Sequence, residues 1–172
     1  MLAYAKGAVS GGRGMFKVGD KVVYPMHGAG VIEAVEEHEI LGQKQQYYIM
    51  RLPLGDMKVM IPVNSVEQVG LRAVEPAERM DAVIATLKRP APATPGNWNH
   101  RYRANLEKIK SGNAFEVAEV ILSLTQRERE KGLSTGERRM LEVARQILVS
   151  ELVLSKGLAL HEASSLLDRA LA

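Results

Sequence analysis

The spacing of apolar residues changes once along this chain, near Arg72, and that change limits what the chain can fold into. Before it, apolar residues fall in short runs that alternate with polar ones; after it they recur every three or four positions. A two-residue period puts side chains on opposite faces of a strand, whereas a 3.6-residue period lines them along one stripe of a helix. Val22-Val23-Tyr24, Val31 to Ile40, Tyr47 to Leu52 and Met57 to Ile61 therefore read as strands. In the last, Met57, Val59 and Ile61 alternate with Lys58 and Met60, which leaves one face buried and the other available. Turns are expected at Pro25 to Gly30, at Leu41-Gly42-Gln43 and at Pro53 to Asp56. Short strands at this spacing, within about 55 residues, predict a small five-stranded barrel or rolled sheet.

Beyond Arg72 the signals are helical. Pro76 suits a first helical position, and Met80, Val83, Ile84 and Leu87 form the buried stripe. Pro90, Pro92, Pro95 and Gly96 make a stiff connector. Asn97 can cap a helix running to about Lys110. Asn113 with Glu116, and Ser134 with Glu137, have capping-box spacing for two more. The second of these runs to Lys156-Gly157 with Leu141, Ala144, Leu148 and Leu152 inward, and a final helix uses Ala163, Leu166, Leu167, Ala170 and Leu171. The expected fold class is α+β in two domains: a β module over residues 15–70 and an all-α bundle over 71–172. Residues 1–14 read as a flexible extension, either a cloning remnant or the product of an upstream start.

Much chemistry is missing. The chain has no cysteine, so it holds no disulfide, thiol nucleophile or cysteine-ligated metal, and a reducing cytoplasm suits it. No run approaches the ~20 apolar residues of a membrane helix, and the first residues lack a signal-peptide core. His27, His38, His100 and His161 have no partner at metal-ligand spacing, and no phosphate-loop, dinucleotide or nucleophile-elbow motif occurs. His27-Gly28-Ala29-Gly30 reads as a tight turn, and Glu36, Glu37 and Glu39 as a solvated strand face. No enzyme activity, cofactor or metal is expected. Charge is divided instead: residues 15–69 carry five basic and seven acidic side chains, net −2, while residues 70–172 carry 16 and 13, net +3. Two surfaces with different partners would suit that division.

Residues 97–110 concentrate the remaining signal. They hold the one tryptophan, Trp98, and four Lys/Arg side chains against one acid. Arg101, Asn105 and Lys108 share a helical face suited to successive phosphates, and Trp98 stands in the first turn, where its ring could stack on or wedge between bases. Trp98 also continues the 3/4 spacing of Tyr102, Asn105/Leu106 and Ile109, so it could equally cap the helical core. Arg138 and Arg139 form a second basic set, whereas Arg127, Arg129 and Lys131, interleaved with Glu128 and Glu130, read as a solvated helix face.

Three blocks taken together resemble the CarD/CdnL transcription regulators of bacteria: Phe16 to Gly28, Trp98 to Lys108, and Gly132 to Leu141. The resemblance runs from about Met15 to the C-terminus. It implies a Tudor-like, SH3-like β module that binds the β subunit of RNA polymerase, and a helical domain touching promoter DNA at the upstream edge of the bubble. It further implies that Trp98 wedges into the minor groove there, that Arg101, Arg103 and Arg138 meet the backbone, and that the open complex lives longer. Some members carry arginines where His38 and Met60 stand here, so His38, Ile40 and Met60 are expected to dock through strand-edge pairing and apolar contacts. The DNA-facing set is then Trp98, Arg101, Arg103, Lys108, Arg138 and Arg139, in a cytoplasmic monomer without membrane contact. The competing expectation is a protein-only adaptor in which Trp98 is buried and no DNA is touched.

Overall fold

The computed structural model describes residues 16–93 and 96–172, so the expectations for residues 1–14 and for Pro95 lie outside the described residues. The first part is a sheet of five antiparallel strands: β1 (Lys21–Tyr24), β2 (Gly28–Ile40), β3 (Gln43–Arg51), β4 (Lys58–Pro62) and β5 (Arg72–Ala73), in the order β4-β3-β2-β1-β5. β5 pairs with β1 and lies past residue 70, where the β module was expected to end. The first turn is shorter than the sequence implied. It closes at Pro25–His27, and Gly28 to Gly30 already belong to β2. Gly30 serves close approach: a Cβ there would stand 2.5 Å from the carbonyl oxygen of Arg51.

One irregularity sets the faces of this sheet. Val31 and Ile32 pair with Arg51 and Met50, but Ala34 pairs with Ile49, so Glu33 is an extra residue on β2. A bulge of this kind shifts every later side chain to the opposite face. Val22, Ile32, Val35, Tyr48, Met50 and Ile61 consequently share one core-facing side. The other side carries Val23 and Ala29 at one end and Glu36, His38, Ile40, Tyr47, Ile49 and Met60 at the other. The acidic run is accordingly divided: Glu36 is on one face, and Glu37 and Glu39 are on the other, rather than forming one solvated face. Glu33 itself accepts from Arg51 Nε (2.8 Å) and pairs with Lys58 Nζ (2.9 Å). Those two hydrogen bonds, Lys58 first, hold its carboxyl below the usual value.

Five helices follow a single short helical turn (Val66–Val69): α1 (Ala77–Thr86), α2 (Trp98–Lys110), α3 (Ala114–Glu130), α4 (Thr135–Lys156) and α5 (Leu160–Leu171). Pro76 sits one position earlier than expected, as the N-cap of α1. Asn97 and Asn113 cap α2 and α3 through their side chains, and Ser134 with Glu137 completes a reciprocal capping box on α4. The expected stripes are in place: Met80, Val83, Ile84, Leu87, Leu141, Ala144, Leu148, Leu152, Ala163 and Leu167 belong to one buried cluster, with Leu166 partly buried against it. The 22-residue α4 touches all four other helices and β2, so it is the axis of the molecule.

The sheet cluster and the helix cluster are separate, and a polar seam joins them. Glu151 of α4 is 1% exposed, and its two oxygens accept from Arg72 Nη1 and Nη2, both at 2.8 Å. The Glu75 amide adds a third donor (2.9 Å), while Arg72 Nε reaches the carbonyl of Gly112 (2.7 Å). One residue earlier, the buried Ser150 hydroxyl accepts from the Ala29 amide (2.8 Å) and donates to Ile147 O (2.7 Å). Gly28 is required beside it, because a Cβ would stand 2.8 Å from that hydroxyl.

Removing one partner of a buried pair strands the other charge, at a cost of about 3–5 kcal/mol. Glu151→Ala is therefore expected to lower unfolding stability by roughly that amount in chemical denaturation, whereas Arg72→Met with Glu151→Leu together should recover much of it. A loss below about 1 kcal/mol would show that the seam does not hold the two parts. For Glu33, a folded pKa held below the ordinary glutamate value gives stability that is present above that ordinary value and lost as pH falls through the lowered one. Glu33→Gln should flatten that acid-side loss in a pH series of melting temperatures.

Candidate nucleic-acid interface and docking face

Asn97 starts α2 by accepting the His100 amide on its side chain (3.0 Å), which puts Trp98 in the first helical position. From there the helical spacing gives a stripe that begins at Tyr102, not at Trp98. Ile109 and Asn105 are buried, Tyr102 and Leu106 pack half-buried on the helix cluster, and Trp98 lies outside it with 40% of its surface exposed. The indole stacks on the Tyr102 ring, with centroids 4.9 Å apart and planes 20° from parallel. Its Nε1–H donates to Ser134 Oγ at 3.1 Å. The expectation of a core-capping tryptophan is not met: the ring is anchored along one side and open on the other.

The cations around it divide into free and engaged. Arg103 and Arg139 are exposed and make no ion pair among the described residues. Arg138 pairs with Glu128 (3.1 Å), but both side chains are largely solvated, a kind of pair worth at most about 1 kcal/mol and readily exchanged. Arg101 donates from Nη1 to Gly96 O (3.1 Å), and its Nε is buried without a partner. Lys108 is tied to Glu119 at 2.9 Å. Asn105 is 5% exposed, so the row Arg101, Asn105, Lys108 is not the open phosphate face that its spacing implied. Helix packing took the middle residue inward.

The charged run at the end of α3 is exposed from Glu128 to Lys131, as a solvated face should be, and departs from it at Arg127. Arg127 lies 3.6 Å from Glu137, which is buried, and Arg129 donates to Leu171 O (2.7 Å). Sequence reasoning recognised Ser134 and Glu137 as a cap, yet nothing in their spacing pointed to Trp98, 36 residues away.

On the sheet, the register places His38, Ile40 and Met60 on one face, the end of it that α4 leaves bare. Ile40 is 48% and Met60 43% exposed. His38 Nε2 lies 2.8 Å from a Glu36 carboxylate oxygen, and its ring meets Tyr47 edge-on at 5.9 Å. The turn beyond projects Leu41, fully exposed at a positive φ of 54°, followed by Gly42 at 79°. The face therefore sets the exposed apolar side chains of Ile40 and Met60 among polar and charged ones, Glu36, His38, Gln45, Arg51 and Lys58. Among the described residues no group of His, Asp and Glu is arranged to hold a metal, and no helix is long and apolar enough to cross a membrane.

Residues 16–75 match the family model described as the CarD-like/TRCF RID domain, and residues 82–168 match that of the CarD C-terminal domain. YdeB of Bacillus subtilis (strain 168), described as a candidate transcription factor, is 40% identical over 144 residues, covering 84% of this chain and 94% of its own length. The two matches meet within the segment where sheet gives way to helices, and together they account for nearly all of the described residues. The chain belongs to the CarD family of transcription regulators, which associate with RNA polymerase and are not enzymes.

Proposed function

We propose that this protein grips the β subunit of RNA polymerase with its sheet and stabilises the promoter open complex with its helices. The observation that carries the reading is the half-exposed indole of Trp98, held flat on Tyr102, together with Arg103 on α2 and Arg139 on α4, both exposed and without an ion pair among the described residues. A ring presented this way can enter the minor groove at the upstream bubble edge and occupy an unstacked step, withholding a few kcal/mol that reannealing must recover. Because about 1.4 kcal/mol changes a rate tenfold, one side chain is enough to slow bubble collapse measurably. Contacts to phosphates from Arg103, Arg139, Arg138, Arg101 and Lys108 carry no sequence information, which suits action at many promoters.

Of these five, only Arg103 and Arg139 make neither an ion pair nor a hydrogen bond among the described residues, and binding by the helices alone would be weak. Docking on polymerase removes that limitation by raising the effective concentration of the helices at the DNA. For the docking itself, the bare end of the sheet with Ile40, Met60 and His38 offers apolar contact and an outer strand, β4, for pairing. The protein is read as a monomer acting in the cytoplasm. A buried Trp98, the basis of the adaptor alternative, has no support in this geometry.

In full-length protein at saturating polymerase, Trp98→Ala should leave polymerase retention intact and shorten open-complex lifetime on the order of tenfold. Unchanged lifetimes would reject the wedge. Arg103→Ala and Arg139→Ala should each lower the salt slope of DNA binding by about one, with Lys108→Ala having the smallest effect. Met60→Glu with Ile40→Glu should abolish retention by polymerase in a pulldown while the melting temperature stays near wild type; full retention would move the docking face elsewhere.

A further inference from the structure

Trp98 needs more than exposure to act as a wedge, because it sits in the first turn of α2, where the helix itself restrains a side chain least. What fixes its ring comes from α4. We infer that Ser134 is a positioning residue for Trp98, with Glu137 and Arg127 as its support, so that the capping box of α4 sets the angle at which the indole meets DNA. This inference rests on the reading of Trp98 as the DNA-facing wedge.

The hydrogen bonding around Ser134 is complete. A serine hydroxyl offers one donor and two acceptor positions. Here the two acceptor positions take the Trp98 Nε1–H (3.1 Å) and the Glu137 amide (3.2 Å), and the hydroxyl proton goes to Glu137 Oε1 (3.2 Å). The same Oε1 accepts the Ser134 amide at 3.3 Å, so the hydroxyl cannot rotate without breaking the box. Glu137 is in turn held: its side chain is 4% exposed and its second oxygen faces Arg127 Nε at 3.6 Å. The next contact is steric. A Cβ on Gly136 would lie 3.7 Å from Trp98 Cζ2 and 3.6 Å from Tyr102 Cε2, so both rings rest against the first turn of α4. Tyr102 covers one indole face, Gly136 lies beneath an edge, and Ser134 takes the N–H; the remaining edge and face point outward. A ring ordered before binding gives up less freedom when DNA arrives.

Trp98 is the one tryptophan in the chain, so its fluorescence reports this site alone. In full-length protein, Ser134→Ala should raise quenching of Trp98 by acrylamide and lower its anisotropy, and shorten open-complex lifetime roughly fivefold, the effect of one neutral hydrogen bond. Ser134→Thr, which keeps the hydroxyl, should restore both. Since alanine also weakens the helix cap, a cycle separates the two effects. Trp98→Phe keeps a stacked ring but lacks the N–H, so combining it with Ser134→Ala should shorten lifetime by clearly less than the product of the two separate fold-changes. Additive losses, or Ser134→Ala with wild-type fluorescence, would overturn the positioning role while leaving the wedge standing. The wedge itself is judged separately by Trp98→Ala.

Discussion

A carboxylate removed from water decides how this molecule holds together. Glu151 lies almost wholly inside, on the face of α4 that meets the sheet, and an unpaired charge there would cost more than the fold can spare. Arg72 answers it with both terminal nitrogens, and Arg72 is itself half of the shortest strand. The pair therefore locks β5 and the chain after it against the long helix. The Glu75 amide, the Gly112 carbonyl and the Ser150 hydroxyl bind further segments into the same seam. Two apolar clusters that could each have drifted are set at one mutual placement by directional bonds, which apolar contact alone does not supply.

The bulge at Glu33 has a comparable reach within the sheet. Without the extra residue, His38 and Ile40 would have pointed to the core side and Glu37 and Glu39 to the other. With it, one face is sealed by α4 near Ala29 and left open near Ile40 and Met60. Exposed Ile40 and Met60 are thereby kept on the same sheet face as Ala29, whose amide joins the seam. In the helical part, the cations of α2 and of the first turns of α4 are sorted by helix packing and ion pairing. Burial of Asn105 and the Lys108–Glu119 pair leave Arg103 on α2 and Arg139 on α4 exposed without an ion pair among the described residues, with Arg138 on α4 only weakly engaged.

Local chemistry was legible where neighbours in the chain are neighbours in space. The change of period near Arg72, the caps at Asn97, Asn113 and Ser134, and the inward stripes of α1, α4 and α5 all depend on contacts within a turn or two. Where the reading failed, a distant segment had intervened. Arg127 looks solvated because acids alternate around it, yet it is half-buried and faces the buried Glu137, whereas Arg129 and Lys131 are exposed as expected. Pro25 to Gly30 has the composition of a loop, but its glycines serve the close approach of strand and helix as much as the turn.

The amino-acid order by itself determined the succession of strands and helices, the faces that helices bury, the lack of thiol chemistry, and the concentration of basic and aromatic residues around Trp98. Each follows from periodicity, capping or composition, which are properties of short stretches. Only the tertiary structure decided that Trp98 stands outside the core, that Ser134 holds its ring, that Asn105 is lost to the interior, and which sheet face remains bare. Those outcomes depend on contacts between segments tens of residues apart and on a one-residue shift of register, and neither leaves a periodic trace in the chain.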